Sequence, residues 1–405
     1  MPVNLKAPES LLPVTGVRLG VAEAAIKKPG RNDVLLIELA EGSQVAGVFT
    51  RNAFAAAPVL LCRERLRATS AIRALLVNSG NANAATGPRG LADARTATGA
   101  AAKALGCAAK AVLPFSTGVI GQRLPLDRML PAIPRAAGAL RADGWLDAAR
   151  AVMTTDTVPK GASRRIRTSQ GAVTVTGIAK GVGMICPDMA TLLAFVATDA
   201  RLTREAARQC LASSVADSFN AVTVDGDTST NDSLVLAASG RAGTAMIGPR
   251  HRDYAVVAAA VREVCIELAQ SVVRDGEGAT RFVTVAVSGA RSAAEARKVA
   301  YAIAHSPLVK TALFAGDANW GRLAMAIGKA GVALDPRRVA IALDDVAVLR
   351  KGEPHPEYRE ARGAAVLAKP EYTIGVDLGR GRAGATVWTC DLSYDYVKIN
   401  AEYRT

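Results

Sequence analysis

The sequence predicts an α/β fold. Short β-branched apolar runs alternate with longer alanine-rich stretches of helical character, and no long linker, internal repeat or low-complexity tail interrupts the alternation. Half of the residues are hydrophobic, enough for a large core. At 405 residues the chain fits two or three domains of roughly 100–200 residues, or one large α/β body. Aromatic residues make up only 4%, so the core has to be built from Val, Leu, Ile and Ala, with small residues allowing close approach.

Residues 34–39 read as a strand, and 74–77 as another ending at the polar Asn78-Ser79-Gly80-Asn81-Ala82-Asn83. Residues 91–105 form an alanine-rich helix closed by Gly106. Residues 112–114 lead into Phe115-Ser116-Thr117-Gly118-Val119-Ile120-Gly121, and 141–153 read as a helix. Residues 173–178 show the β-branched alternation of a strand. The apolar run 192–198 fits a buried strand, although periodicity alone does not separate it from a helix. Residues 203–218 read as a helix with Thr203 as N-cap and Ala206 at N3, short of a full capping box. Residues 254–273 form a second long helix, 282–287 a strand and 293–305 a helix. Further strands are expected at 339–343, 373–376 and 385–390.

Composition excludes several classes. No apolar segment approaches the ~18 residues of a membrane span, and residues 1–9 lack the basic-then-apolar order of a secretory signal. A cytoplasmic location is the expectation. Cys62, Cys107, Cys186, Cys210, Cys265 and Cys390 are dispersed without a C-x-x-C pair, so they read as small buried fillers rather than a zinc site or disulfide framework. The net charge is +14, yet the arginines are scattered, with one dense cluster at Arg164, Arg165 and Arg167. No nucleic-acid module accompanies them, so the charge reads as a mild field attractive to anionic metabolites, with no nucleic-acid or membrane partner. Asp225, Asp227 and Asp232 lie close together but lack the spacing of a calcium loop, so they read as a structural polar loop and no metal is expected.

The three histidines, His251, His305 and His355, lie at a helix start, at a helix end and between two prolines. None adjoins a serine or cysteine in a nucleophile motif, and no Walker loop, G-x-S-x-G elbow or H-E-x-x-H helix is present. A nucleophile here therefore needs a base other than histidine. The densest anomaly is Lys180-Gly181-Val182-Gly183-Met184-Ile185-Cys186-Pro187-Asp188-Met189-Ala190-Thr191-Leu192-Leu193. Gly181 and Gly183 permit unusual backbone angles, Pro187 stiffens the approach to small Ala190, and Thr191 opens an apolar run. The pattern suits either a glycine-rich turn entering a core strand or a self-cleaving threonine. In the second case the freed α-amine, titrating near ~8, acts as base for its own hydroxyl.

Lys180 to Leu193 resembles the K-G-x-G-M-I-x-P-x-M-A-T-[ML]-L signature of the ornithine acetyltransferase family of arginine biosynthesis. Further blocks are similar and in family order: Val48–Asn52, Asn78–Ala84, Ser116–Gly121, Met153–Thr157, Asp225–Asp232, Asp275–Thr280, Gly316–Arg322 and Tyr396–Thr405. The resemblance covers nearly the whole chain. It implies stacked sheets flanked by helices, in a self-processing arrangement like that of N-terminal nucleophile enzymes, with a smaller α/β lobe. It implies cleavage between Ala190 and Thr191, giving an α chain of residues 1–190 and a β chain of 191–405. The two chains are expected to remain together and to pair as an α2β2 unit.

The same resemblance assigns Thr191 as nucleophile and Thr117 and Gly118 as oxyanion hole. It assigns substrate binding to Thr154, Lys180, Thr191, Glu277, Asn400 and Thr405. The implied reaction moves acetyl from N2-acetyl-L-ornithine to L-glutamate, without a cofactor; acetyl-CoA stays open as a second donor. A self-processing aminopeptidase or amidohydrolase of related fold, with water as acceptor, remains the alternative. Cys186, Asp188 and Arg281 depart from the family's usual residues, and none of them removes an implied catalytic group.

Overall fold

The computed structural model describes residues 2–69, 71–186 and 192–402. They form two compact units, one of Ala7–Asn220 with Asp227–Val272, the other of Met1–Lys6, Ala221–Gly226 and Val273–Thr405. Among the described residues no helix is long and apolar enough to cross a membrane.

The larger unit runs through β1 (Val17–Ala22), β2 (Val34–Leu39), β3 (Gln44–Phe49), α1 (Ala57–Ala68), β4 (Ala74–Asn81), α2 (Gly87–Leu105), β5 (Val112–Val119), α3 (Leu126–Gly138), α4 (Trp145–Ala151), β6 (Lys160–Thr168), β7 (Gly171–Lys180), β8 (Leu193–Thr198), α5 (Arg204–Ala216), β9 (Ser233–Ala238) and α6 (Tyr254–Arg274). Its strands form two sheets, ordered β1-β2-β4-β5 and β3-β9-β8-β7-β6. Within them β4 and β5 are parallel, as are β8 and β9.

Side chains alternate across a strand, so each sheet has two faces to bury. The inner face of the first sheet presents Leu19, Ile37, Leu75, Val77, Leu113 and Phe115, which share one core with Ile178, Leu193, Phe195 and Val235 of the second. Phe115 meets Phe195 edge to face, with ring centroids 5.0 Å apart. On the outer face of the first sheet, Val34, Leu36, Leu76 and Val112 pack on Ala97 and Ala101 of α2 and on Ile133 and Ala136 of α3. On the other side α5 packs against β3 and β9, and a Cβ placed on Gly177 of β7 would come within 3.0 Å of Val264 and Leu268 of α6. The result is helices, sheet, sheet, helices: the stacked-sheet sandwich that the resemblance implies.

The smaller unit carries β10 (Phe282–Ala290), α7 (Ala293–Ala304), α8 (Pro307–Ala315), α9 (Trp320–Gly328), β11 (Ala340–Leu343), β12 (Val346–Arg350), β13 (Glu353–Pro354), α10 (Glu360–Leu367), β14 (Glu371–Asp377), β15 (Ala383–Cys390) and α11 (Tyr394–Ala401). Its mixed sheet has the order β13-β12-β11-β14-β10-β15. Helix α7 lies across β10 and β15, its Val299 and Ile303 joining Val285, Val287, Ile374 and Val376 in a separate core.

Several sequence expectations shift. The helix expected at 141–153 shortens to α4, because Arg141 instead forms a two-way backbone bridge with Leu19 and the helix starts only after Gly144. Helix α3 has no counterpart in the sequence reading: Pro131 and Pro134 interrupt its hydrogen-bond ladder, yet the buried face of Met129, Ala132, Ile133 and Ala136 holds it. The run 192–198 resolves as a strand, β8, with every residue buried. The Thr203 cap is present, its hydroxyl accepting the Ala206 amide at 3.1 Å. Five of the cysteines are buried fillers, whereas Cys107 is half-buried. Of the arginine cluster, Arg164 on β6 is paired with Glu263 and Glu267 of α6.

Phe195→Ala removes the ring that joins the two sheets and leaves a void in a closed core. It is expected to lower stability by about 3–5 kcal/mol, read as a fall in the urea midpoint. An unchanged midpoint would contradict the packing described.

Candidate active site

Thr117 and Gly118 lie within β5 rather than in a turn after it. The parallel ladder with β4 extends to Ser79 opposite Thr117 and Gly80 opposite Gly118. Gly118 has φ +136°, and a Cβ there would stand 2.2 Å from the carbonyl carbon of Gly80, so no side chain fits. Thr117 is buried. The Ser116 hydroxyl donates to Asn78 Oδ1 at 2.6 Å, and Asn78 Nδ2 donates to the Asn81 carbonyl at 2.9 Å. Asn81 in turn donates to the carbonyls of Gln122 and Arg123. These bonds weave the blocks 78–83 and 116–121, far apart in sequence, into one polar strand end.

Thr154 and Lys180 are brought together by a carboxylate. Asp156 accepts the Thr154 amide at 3.0 Å and the Gly181 amide at 2.8 Å, and pairs with Lys160 Nζ at 2.7 Å, with both ionic side chains fully buried. Burial disfavours the charge on Asp156, but Lys160, then Lys180, and the Gly181 amide outweigh it and hold the carboxyl well below the usual range. The segment preceding Thr154 is tied to β4 and to the loop before β2: Ser79 Oγ donates to the Ala151 carbonyl at 2.8 Å, and Arg31 donates to the Met153 carbonyl at 2.6 Å.

Lys180, half-buried at the end of β7, is the cross-strand partner of Leu193 at the start of β8. The Ser233 amide donates to the Leu192 carbonyl at 2.9 Å, extending the β8–β9 ladder back by one residue. Ala190 and Thr191, with the departing residue Asp188, lie outside the described residues. Sequence on both sides of the expected cut therefore enters one sheet, since β7 precedes it and β8 follows it.

In the smaller unit, Glu277 is buried and its Oε2 accepts Asn400 Nδ2 at 2.9 Å. Asn400 also donates to the Tyr396 carbonyl one turn back on α11, at 3.0 Å. Ser393 caps that helix by accepting the Tyr396 amide, and its hydroxyl donates to the Gly278 carbonyl at 2.6 Å. Glu277 and Asn400 are thus brought together, while Thr405 lies outside the described residues. Arg281 is accounted for structurally: its guanidinium donates to the carbonyls of Leu367 and Thr280. Asp225 accepts the Tyr396 hydroxyl at 3.3 Å. No group of three or more His, Cys, Asp or Glu among the described residues is arranged to hold a metal ion. His251 and His355 each accept a backbone amide two residues on, from Asp253 and Glu357, as turn-forming side chains.

The sequence model of the ArgJ family matches residues 18–405. This chain belongs to the ArgJ family. It is 58% identical over 396 residues to the arginine biosynthesis bifunctional protein ArgJ of Methylococcus capsulatus, covering 98% of this chain and 97% of that one. Among solved structures, it is 41% identical to the arginine biosynthesis bifunctional protein argJ of Bacillus halodurans, over 50% of this chain and 95% of that one, with a TM-score of 0.49. It is 34% identical to the ornithine acetyltransferase of Mycobacterium tuberculosis, solved with ornithine, over 46% of this chain and 97% of that one, with a TM-score of 0.39.

The residues that hold these candidate site segments in place carry little signal in the sequence. Asp156 lies within a family block without a role, and Lys160 outside any block. Their one signal is an acid and a base four residues apart in a stretch without helical character. Lys160→Met leaves a buried carboxylate without its main counter-charge and is expected to cost about 3–5 kcal/mol of stability. Because the folded carboxyl titrates below its unfolded value, its contribution is present above about pH 4 and fades as the pH drops further, toward the folded value. Asp156→Asn should therefore flatten the dependence of stability on pH below about pH 4, measured by urea melts across that range. A slope equal to the parent's would contradict the assignment.

Proposed function

We propose that this chain transfers the acetyl group of N2-acetyl-L-ornithine to L-glutamate through an acetyl ester on Thr191, after cutting itself between Ala190 and Thr191. The observation that carries this is the family match over residues 18–405; the position of Thr117 and Gly118 in β5 and of Lys180 at the end of β7 supports it. In the first half-reaction the free Thr191 amine takes the hydroxyl proton, and Oγ attacks the acetyl carbonyl. The oxyanion is met by the Thr117 hydroxyl and the Gly118 amide, each such donor being worth about 3–4 kcal/mol to a transition state. The ornithine amine leaves with the proton. The α-amine of glutamate then attacks the ester, and Thr191 is regenerated.

Lys180, near the start of β8, is suited to a substrate carboxylate, with Thr154 held beside it through Asp156. Glu277, presented with Asn400, is suited to the substrate's ammonium groups, and the family resemblance assigns Thr405 a further role in binding substrate. Catalysis needs no metal or other cofactor in this scheme. The name of the Methylococcus relative, a bifunctional protein, supports a second activity, which we assign to acetyl-CoA as an alternative donor to glutamate. Residues 1–190 and 191–405 stay associated after the cut because β7 and β8 are hydrogen-bonded neighbours, and two such pairs assemble as α2β2.

Thr191→Ala should migrate as one uncut chain and transfer no acetyl group, whereas the parent yields a second fragment whose N-terminal sequence begins Thr-Leu-Leu. A mutant that matures and turns over normally would overturn the mechanism. Thr117→Ala should lower kcat by about 100-fold with KM nearly unchanged. Loss of substrate affinity with an unaltered kcat would remove Thr117 from the oxyanion hole. Acetylornithine consumed at the same rate with and without glutamate, without acetylglutamate appearing, would assign hydrolysis instead of transfer.

A further inference from the structure

The proposed oxyanion donors belong to β5 in one sheet, and the proposed nucleophile precedes β8 in the other. Covalent connection does not fix the distance between two such strand ends; something has to span the sheets at that end. Asn231 does so. It lies two residues before Ser233, whose amide is bonded to Leu192, so its own position is tied to the start of β8. Its side chain reaches the first sheet, where Nδ2 donates one hydrogen to the Ser116 carbonyl at 2.9 Å and the other to the Ala82 carbonyl at 2.7 Å. Oδ1 accepts the Thr230 hydroxyl at 2.6 Å, so the amide cannot flip without turning its oxygen onto two carbonyls. Asn231 is 7% exposed, which denies water a share in these bonds.

The Ser116 carbonyl and the Thr117 amide form one rigid peptide plane. Holding that plane sets the direction of the Thr117 side chain and, one residue on, of the Gly118 amide. We propose that Asn231 is a positioning residue, which sets the proposed oxyanion donors of β5 at their working distance from the start of β8, the strand that follows Thr191 in sequence. The inference rests on the acetyl transfer proposed above. It deepens it by naming what aligns the two halves of the catalytic machinery.

The test uses the mature, self-cleaved protein of full length. Rapid-quench mass spectrometry follows acetylation of the fragment beginning at residue 191 by N2-acetyl-ornithine, then its discharge by glutamate. Asn231→Asp preserves shape and removes both donated hydrogens. Its rate constants for acetylation and discharge should each fall about 100-fold per acetylatable site, with KM within about threefold of the parent. Thr230→Val keeps both donors but loosens the amide, and should slow both steps about fivefold to tenfold. Where Asn231→Asp does not fold or is not cut, the rate constants of Thr230→Val decide the question alone. Parental rate constants per competent site, with only fewer competent sites, would reduce Asn231 to a structural role and overturn the proposal. So would a raised KM with parental rate constants. Parent protein that never acquires acetyl on the second fragment would instead refute the underlying transfer mechanism, a result read without any variant.

Discussion

The face-to-face packing of two sheets is the constraint on which the proposed site depends. The four-stranded sheet ends in β5 and supplies Thr117 and Gly118; the five-stranded sheet supplies Lys180 from β7 and the start of β8. Phe115 and Phe195 meet in the core, two residues from Thr117 and two from Leu193. A slip of either strand by one residue would turn its apolar set from this core toward the helix-covered face, and the side chains would no longer match the packing on either side. The same packing that buries the aromatic pair therefore fixes which strand ends share one side of the sandwich. The polar bonds of Asn231, Asn78 and Asp156 act on that frame and refine it locally.

Charge is handled in the same layered way. The buried Asp156–Lys160 pair keeps a full negative charge inside the protein, where an uncompensated one would be prohibitive. That charge also receives the amides of Thr154 and Gly181, so one carboxylate determines the course of two chain segments at once. In the smaller unit Glu277 plays a comparable part with Asn400, across the gap between a glycine-containing turn and α11.

Much of this was legible in the sequence where one signal dominated. The uninterrupted apolar run of β8, the Thr203 cap and the αL glycine at Gly106 are local features, and they appear as expected. Helix α3 was hidden because its two prolines argue locally against helix while tertiary burial of its apolar face argues for it. The helix expected to begin at Arg141 starts later, because the alternative, a backbone bridge to Leu19, is a contact between distant segments. The fold class needed only alternation; the order of layers came from the family resemblance and matches the packing observed. At the site, the ordered family blocks singled out Thr117, Gly118, Thr154, Lys180 and Glu277 by number. Their supports were not legible: nothing in the string of residues says that Asn231 reaches Ser116, or that Asp156 closes on Gly181. The first bond exists only once the two sheets have stacked, the second only once β6 has paired with β7.

The most direct measurement is a pulse and chase on the mature protein. After incubation with N2-acetyl-ornithine in the absence of glutamate and an acid quench, peptide mapping should find acetyl as a hydroxylamine-labile ester on Thr191, beside a free α-amine. Addition of glutamate before the quench should clear it and yield an equal amount of acetylglutamate. Acetylglutamate formed at the full rate while residue 191 never carries acetyl would contradict the account.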